Sequence, residues 1–110
     1  MRIEFKTNKL KKQLTDPREL VKALGQRAKK AKQRMEEFKA AENLAVIATL
    51  PGPRCHELTG DHAGQLAVDI SGNYRIVFEP YHDPIPEKDN GGLNWEQVTA
   101  IRILQIEDYH

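Results

Sequence analysis

The spacing of apolar residues changes at Pro51-Gly52-Pro53, and this change limits the fold more than any other feature of the chain. Before this segment, apolar residues recur every three or four positions, which is typical of amphipathic helices. After it they alternate with polar residues, which is typical of half-buried strands. Neither pattern can continue through two prolines and a glycine. The chain therefore divides into a helical part and a strand-rich part.

The first forty residues are expected to form one strand and two helices. Residues 3–5 alternate between apolar and polar side chains, which predicts a short strand. A helix capped by Thr7 or Asn8 follows, and Asp16 with Pro17 signals the start of a second helix. This second helix is expected to be amphipathic and about 20–24 residues long. Its apolar stripe consists of Leu20, Val21, Leu24, Ala28, Ala31, Met35 and Phe38.

The strand-rich part follows a short helix expected over residues 43–50. Strands are predicted at 55–58, 66–70, 74–79 and 98–106. Residues 71–73 are expected to form a hairpin turn, with Gly72 or Asn73 at the positive φ that such turns require. The last strand is almost continuously apolar, so we expect it to be an inner strand covered by the long helix.

The order of these elements predicts the fold class. With 110 residues, the chain is expected to be a single domain spanning residues 1–110. One strand and helices followed by a run of strands indicate an α+β fold, with the helices packed on one face of a small, mainly antiparallel sheet. Residues 80–94 are rich in proline, glycine and charge, and are expected to be an exposed loop.

The charge of the chain is unevenly distributed. The formal net charge is +1, but residues 1–40 carry 13 Lys/Arg against 5 Asp/Glu, whereas residues 41–110 carry 4 against 11. Such asymmetry points to a nucleic acid or to an acidic partner, although a solvated helix surface would have the same composition. The longest apolar run is too short for a membrane span, and the N-terminus lacks the apolar segment of a secretory signal. We therefore expect a cytoplasmic protein.

Metal and nucleotide chemistry find little support in the sequence. The four histidines and Cys55 match no zinc-binding spacing. Cys55 is a poor candidate for a nucleophile, because no glycine-rich elbow or helix N-terminus is expected to present it. The glycines form neither a phosphate-binding loop nor a dinucleotide fingerprint. No metal and no cofactor are therefore predicted.

Polar side chains within the predicted sheet are the remaining candidates for chemistry. Arg75 alternates with apolar neighbours, so its side chain points away from them. A surface salt bridge would explain Arg75, and a solvated terminus would explain Glu107-Asp108-Tyr109-His110. The functional interpretation requires His56, Arg75 and His110 to converge on one face of the sheet.

Three segments give the chain a family resemblance. Residues 50–61 resemble the Leu-Pro-Gly…His-x-Leu-x-Gly-Asp segment of HigB-type toxins of type II toxin–antitoxin systems, within the RelE/ParE superfamily. Residues 71–78 are similar to the Gly-Asn-aromatic-Arg-Ile-x-Phe strand of that family. Residues 107–110 are similar to its Asp-Tyr-His ending. The three segments occur in the family's order, and the resemblance implies a RelE-like fold over almost the whole chain.

The resemblance implies an endoribonuclease that cleaves mRNA on the ribosome without a metal or a cofactor. In such a reaction a ribose 2′-OH attacks the adjacent phosphate, which needs a base, an acid and a cation at the phosphoryl oxygens. By resemblance, His56 and His110 are the acid–base candidates and Arg75 is the cation. Asp108 would orient an imidazole or raise its pKa. Tyr109 would position a nucleobase of the RNA or stack on that nucleobase.

The resemblance also suggests partners. The basic side chains expected to face away from the core would contact ribosomal RNA. They are Lys22, Lys29, Lys30, Lys32 and Arg34. A cognate helix-turn-helix antitoxin, of the HigA-like kind, would bind the toxin and repress the shared operon.

The chain departs from the family pattern at several positions, including His62-Ala63, where basic residues are usual, and Leu66, near which an aromatic residue is common. Thr59 stands where HigB toxins generally have Lys, which removes a cation from the site, and residues 80–94 form a longer loop than in compact members. A toxin of reduced activity is therefore one expectation. The alternatives are a catalytically impaired module that acts by antitoxin binding and operon regulation, and a gyrase-targeting toxin of the ParE kind.

Overall fold

A computed structural model describes residues 1–108 of the chain. Its strands are β1 (Arg2–Phe5), β2 (His56–Glu57), β3 (Leu66–Asp69), β4 (Tyr74–Pro80) and β5 (Ala100–Asp108). Its α-helices are α1 (Asn8–Thr15), α2 (Pro17–Leu24), α3 (Ala28–Ala40) and α4 (Leu44–Ala48), and there are 3₁₀ turns at Gly25–Arg27, Gly60–His62 and Trp95–Gln97. Tyr109 and His110 lie outside the described residues.

The five strands form one sheet in the order β1-β5-β4-β3-β2. β1 runs parallel to β5, and the other neighbours are antiparallel. The α+β class and the mainly antiparallel sheet are therefore confirmed, and β5 is an inner strand as predicted. A bulge between Val77 and Phe78 shifts the register of β4 against β5.

Two side chains start the first helices as the sequence predicts. The Thr7 hydroxyl accepts a hydrogen bond from the Leu10 N–H at 3.1 Å and caps α1. Asp16 Oδ1 accepts from the N–H groups of Arg18 and Glu19, at 2.9 and 3.3 Å, and Pro17 occupies the first turn of α2. These bonds pair N–H groups that have no partner within a helix.

The prediction of one long helix from Pro17 is wrong. α2 ends at Leu24, and a 3₁₀ turn over Gly25–Arg27 separates it from α3. Gly25 has a φ of 55°, which glycine adopts without the steric cost of a Cβ atom. The buried stripe resumes at Ala28, so the spacing of apolar residues does not reveal the break. Val21, which is predicted to belong to the stripe, is 60% exposed.

The helices cover one face of the sheet. Phe38 of α3 packs edge-on against Phe78 of β4, with ring centroids 5.1 Å apart. Leu14, Leu24 and Leu44 join the same core. A helix layer on a single face, as predicted, buries one side of β3, β4 and β5 and leaves their other side chains on the opposite face.

Residues 71–73 and residues 80–94 are predicted to be a hairpin turn and an exposed loop. Residues 71–73 form the hairpin turn, with both the Ile70 and the Ser71 N–H donating to the Tyr74 carbonyl. The expected positive φ is wrong, because neither Gly72 nor Asn73 has one. The segment 80–94 is mostly exposed, and the Trp95 Nε1–H that follows it donates to Glu57 Oε2 at 3.2 Å.

Within residues 1–108, no helix has the length and apolar character that crossing a membrane would require.

Candidate active site on the face opposite the helices

A row of charged side chains crosses the sheet on the face opposite the helices. Asp69 of β3 pairs in register with Arg75 of β4, which pairs with Glu107 of β5. Residues directly opposite each other in antiparallel strands share a face. The guanidinium of Arg75 binds one carboxylate oxygen, Glu107 Oε2, through Nε and Nη2, each at 3.1 Å. Since the Arg75 side chain is only 13% exposed, this ion pair holds the cation in place.

His62 approaches the same carboxylate from the turn before β3. Its Nε2 lies 4.0 Å from Glu107 Oε1, and its Nδ1 lies 3.2 Å from the amide oxygen of Gln65. That oxygen can only accept, so Nδ1 carries the proton of the neutral ring and Nε2 faces the carboxylate. A protonated His62 therefore forms an ion pair with Glu107. Glu107 thus contacts both an arginine and a histidine.

His56 lies in the neighbouring row of the same face. It pairs with Ala67, which pairs with Val77 of β4. Its Nδ1 is 2.7 Å from the Arg54 carbonyl oxygen, an acceptor, so Nδ1 donates and Nε2 is the nitrogen that can exchange a proton with a ligand. Strand spacings put the Cα atoms of His56 and Arg75 about 12 Å apart, a distance that their side chains and one phosphodiester can span.

Arg54 brings a second guanidinium to this row. Its Nε lies 2.7 Å from Asp69 Oδ2 and its Nη2 lies 3.3 Å from Asp69 Oδ1. Arg54 has a φ of 47°, an unusual conformation for a residue other than glycine, in the segment that leads into β2. The Arg54 side chain is 60% exposed, in contrast to that of Arg75.

The predicted ending of the motif divides between the two faces. Asp108 is opposite Tyr74 in the register, on the helix side of the sheet, whereas Glu107 is opposite Arg75. On β5 the carboxylate beside Arg75 is therefore Glu107, which is not among the predicted site residues. The alternation in β4 and β5 could have found it. Asp108 keeps its role as a prediction, as do Tyr109 and His110, which lie outside the described residues.

The basic residues predicted to bind RNA are separated by the fold. Lys22, Lys29, Lys30 and Lys32 are exposed on the helix layer, across the sheet from Arg75. The prediction that Arg34 faces solvent is wrong, since it is 4% exposed. Its Nε donates to the Asp69 carbonyl at 2.6 Å and its Nη1 binds Glu37 Oε1 at 2.8 Å. Arg34 is thus a structural tie between α3 and β3.

Thr59 is exposed at the start of the turn that carries His62. Its carbonyl accepts the His62 N–H at 3.3 Å, so its backbone helps to hold that histidine. The lysine implied at this position is absent, and the cations in the row are Arg75 and Arg54. Among residues 1–108, no group of three His, Cys, Asp or Glu side chains is arranged to hold a metal ion.

Cys55 is partly buried beside this region. Burial, with a smaller effect of the nearby Glu57 carboxylate, raises the pKa of the Cys55 thiol to about 12. The thiolate is the nucleophilic form, so this cysteine is unreactive at neutral pH.

Comparisons with known proteins identify the fold. No family model and no curated protein matches the chain. The YoeB/ParE toxin from Agrobacterium tumefaciens matches with a TM-score of 0.55 and 14% identity over 100% of both chains. YafQ from E. coli strain BL21(DE3) matches at 0.52 and 15%, covering 98% of this chain and 93% of that one. The YoeB-YefM complex from Staphylococcus aureus matches at 0.52 and 15%, covering 100% and 97%. The chain therefore shares its α+β fold with these solved structures.

Proposed function

We propose that the chain is the toxin of a type II toxin–antitoxin pair and acts as an endoribonuclease on mRNA. The observation that carries the proposal is the row formed by Arg75, Glu107 and His62, with His56 beside it on the same face. These side chains supply a fixed cation and two imidazoles, which are the groups that metal-free RNA cleavage needs. The toxin fold of the matched structures supports the same conclusion.

The proposed reaction is an in-line displacement at phosphorus. A base removes the proton of a ribose 2′-OH, and the oxygen forms a bond to the adjacent phosphorus. The bond from phosphorus to the 5′ oxygen breaks, and an acid gives that oxygen a proton. The products are a cyclic phosphate and a 5′-OH. Arg75 stabilises the extra negative charge on the phosphoryl oxygens, because its guanidinium is always protonated and offers two N–H groups to one phosphate.

Two imidazoles in the described part of the site can transfer protons. His56 donates Nδ1–H to the Arg54 carbonyl and His62 donates Nδ1–H to the Gln65 amide oxygen, and each bond orients Nε2 of its ring. The family resemblance assigns the acid and base to His56 and His110. His62 is a third candidate, argued from its position beside Glu107. Glu107 acts as a positioning residue, since it holds Arg75 and faces His62.

Substrate positioning is proposed to come from the ribosome. The charged row lies on the face of the sheet that the helices leave uncovered, and the ribosome would add contacts that hold the mRNA beside it. The exposed lysines of the helix layer supply the positive charge that would hold ribosomal RNA. Ribosome binding would place the protein in the cytoplasm.

The proposed protein partner is an antitoxin. The matched Staphylococcus aureus structure is a YoeB-YefM complex, which supports a toxin that is held by a second protein. From the sequence resemblance we propose the HigB group for this chain, and a helix-turn-helix antitoxin of the HigA-like kind. Repression of the shared operon by the pair would follow.

Expression of the chain in a bacterium, with growth measured and mRNA 5′ ends mapped, tests the proposal. We expect growth arrest and new 5′-OH ends in translated regions. Arg75→Ala is expected to lower cleavage at least a hundredfold, since one charge-stabilising donor commonly contributes that much. Arg18→Ala is the matched control, because Arg18 is exposed on α2, across the sheet from the site. Double-strand DNA breaks with intact mRNA would instead identify a gyrase poison, and antitoxin binding without arrest would identify an inactive regulatory module.

Glu107→Gln tests the positioning role separately. The substitution keeps the shape of the side chain and removes its charge, so Arg75 loses its ion pair while the strand pairing stays. We expect cleavage to fall about tenfold or more with the thermal midpoint within about 3 °C of wild type. Glu36→Gln, at an exposed position of α3, is the control. Unchanged cleavage by Glu107→Gln would contradict the role given to the Arg75–Glu107 pair.

A further inference from the structure

A second feature of the same sheet face is an exposed aromatic ring between two arginines. Tyr81 directly follows β4, and its N–H donates to the Ala100 carbonyl at 2.9 Å. Tyr81 is exposed, with 43% of its surface accessible to solvent. The Cζ atoms of Arg2 and Arg102 lie 5.7 and 5.9 Å from the ring centroid. These distances are within the range of a cation–π contact.

Both arginines are held in place by carboxylates. Arg2 Nε binds Glu4 Oε2 at 3.0 Å, and Arg102 binds Glu79 Oε2 through Nη2 at 2.6 Å and Nε at 2.8 Å. The register puts Glu4 opposite Arg102 and Arg102 opposite Glu79, so these groups share one face. The Arg102 guanidinium, which Glu79 binds through two nitrogens, is therefore a planar group with restricted orientation, which lowers the entropy cost of stacking a ligand on it.

A cavity of about 450 Å³ adjoins the ring. His82, Asp83 and Ile85 line it together with Tyr81. His82 Nε2 accepts N–H groups from Thr99 and Ala100, at 3.0 and 3.3 Å, so the ring proton is on Nδ1. The residues that line the cavity thus include a histidine, a carboxylate and an apolar side chain, residue types suited to the edge of a nucleobase.

The cavity and the charged row lie along one strand of the sheet. Arg75 and Tyr81 are six residues apart in and just beyond β4, and the alternation of side chains places both on the face opposite the helices. At about 3.3 Å per residue the separation is about 20 Å. A single strand stacked at about 3.4 Å per nucleotide covers that distance in about six nucleotides, and an extended strand covers it in fewer.

We propose that Tyr81 and the guanidiniums of Arg2 and Arg102 together form a stacking platform for one unpaired base of the RNA substrate, up to about six nucleotides from the cleaved bond. This inference rests on the proposed function, since it assumes that the charged row cleaves RNA. Glu4, Glu79 and Asp83 offset the charge of the two arginines, so the platform recognises the face and edge of a base rather than a phosphate. The base enters beside Asp83, which favours one with an exocyclic amino group.

The test measures binding of a fluorescent twelve-nucleotide RNA in which 2′-O-methyl groups block cleavage. Stacking of one base on an aromatic ring predicts that Tyr81→Ala weakens binding by about fivefold or more. Tyr81→Phe keeps the ring and is expected to bind within about twofold of wild type. Because no phosphate contact is lost, the dependence of binding on salt concentration is expected to stay the same. Val21→Ala, which shortens an exposed apolar residue of α2, is the matched control.

A second measurement reads the platform during cleavage. Mapped 5′ ends are expected to show a base preference up to about six nucleotides from the cut, and Tyr81→Ala is expected to remove that preference while cleavage persists. Equal RNA binding by Tyr81→Ala and wild type would overturn the inference, as would a loss of antitoxin binding with RNA binding unchanged.

The two proposals fail in distinguishable ways. Suppose that wild type cleaves mRNA and Arg75→Ala does not. If Tyr81→Ala then has the RNA affinity and the base preference of wild type, only the platform is wrong. If wild type binds RNA through Tyr81 without cleaving it, the platform stands and the endoribonuclease is wrong. If wild type neither binds nor cleaves RNA, both are wrong.

Discussion

Arg34→Met is the substitution that most directly separates a structural role from RNA binding. Arg34 is buried on α3, and methionine keeps much of its apolar volume while removing the guanidinium. The lost contacts are a hydrogen bond to the Asp69 carbonyl at 2.6 Å and an ion pair with Glu37 at 2.8 Å. Each hydrogen bond to a charged group contributes about 1.5–3 kcal/mol. Glu37 keeps 20% exposure and can be hydrated in the variant, which reduces the loss.

We therefore expect Arg34→Met to lower the free energy of unfolding by about 3 kcal/mol. For a chain of this size that corresponds to a fall of roughly 12–20 °C in the thermal midpoint. Urea unfolding followed by the fluorescence of Trp95, the single tryptophan, measures the change. Lys32→Met on an exposed position of α3 is the control and should stay within about 0.5 kcal/mol of wild type. A loss below about 1 kcal/mol, together with a tenfold loss of RNA affinity, would refute the structural assignment.

Three further substitutions test separate features. Thr59→Lys returns a cation to the turn beside the site and is expected to raise mRNA cleavage about tenfold over Thr59→Met, its uncharged match; equal rates would show that the position does not limit catalysis. Gly52→Ala places a Cβ 3.2 Å from Arg34 Nη2, which is fixed, and should cost about 1 kcal/mol in urea unfolding. Gly72→Ala has open space and is the neutral control, so similar losses would rule out the clash. The pKa of the Cys55 thiol is about 12 in the folded state and near 9 in the unfolded state. As pH rises from 9 towards 12, the thiol therefore ionises only in the unfolded chain, which favours unfolding. Wild type should therefore lose roughly 2 kcal/mol more than Cys55→Ala between pH 8 and pH 10.5, and parallel stability curves would contradict this.

Much of the fold follows from local signals in the sequence. Asp16 and Pro17 begin a helix because an N-cap acceptor and a fixed φ satisfy requirements that are independent of the rest of the chain. The inner position of β5 follows from its apolar composition. The break at Gly25 was missed because the apolar spacing continues across it. The structure locates the break at the 3₁₀ turn over Gly25–Arg27, where Gly25 has a positive φ.

The site was harder to predict, because it depends on pairing between distant strands. Arg75 was selected by motif, but its partner Glu107 is 32 residues away and becomes identifiable only through the register of β4 and β5. Arg34 shows the opposite error. Its place off the apolar stripe suggested exposure, but Asp69 and Glu37 give a buried guanidinium the partners it needs.

The place of β5 between β1 and β4 also determines when the charged row can form during synthesis. Among the strands of residues 1–108, β1 is synthesised first, yet its neighbour in the sheet is β5, which is synthesised after the other four. Arg75 likewise gains Glu107 only at that moment. A nascent chain stopped before β5 lacks an inner strand of the sheet and the Arg75–Glu107 ion pair, so the charged row is not complete until residues 100–108 have left the ribosome.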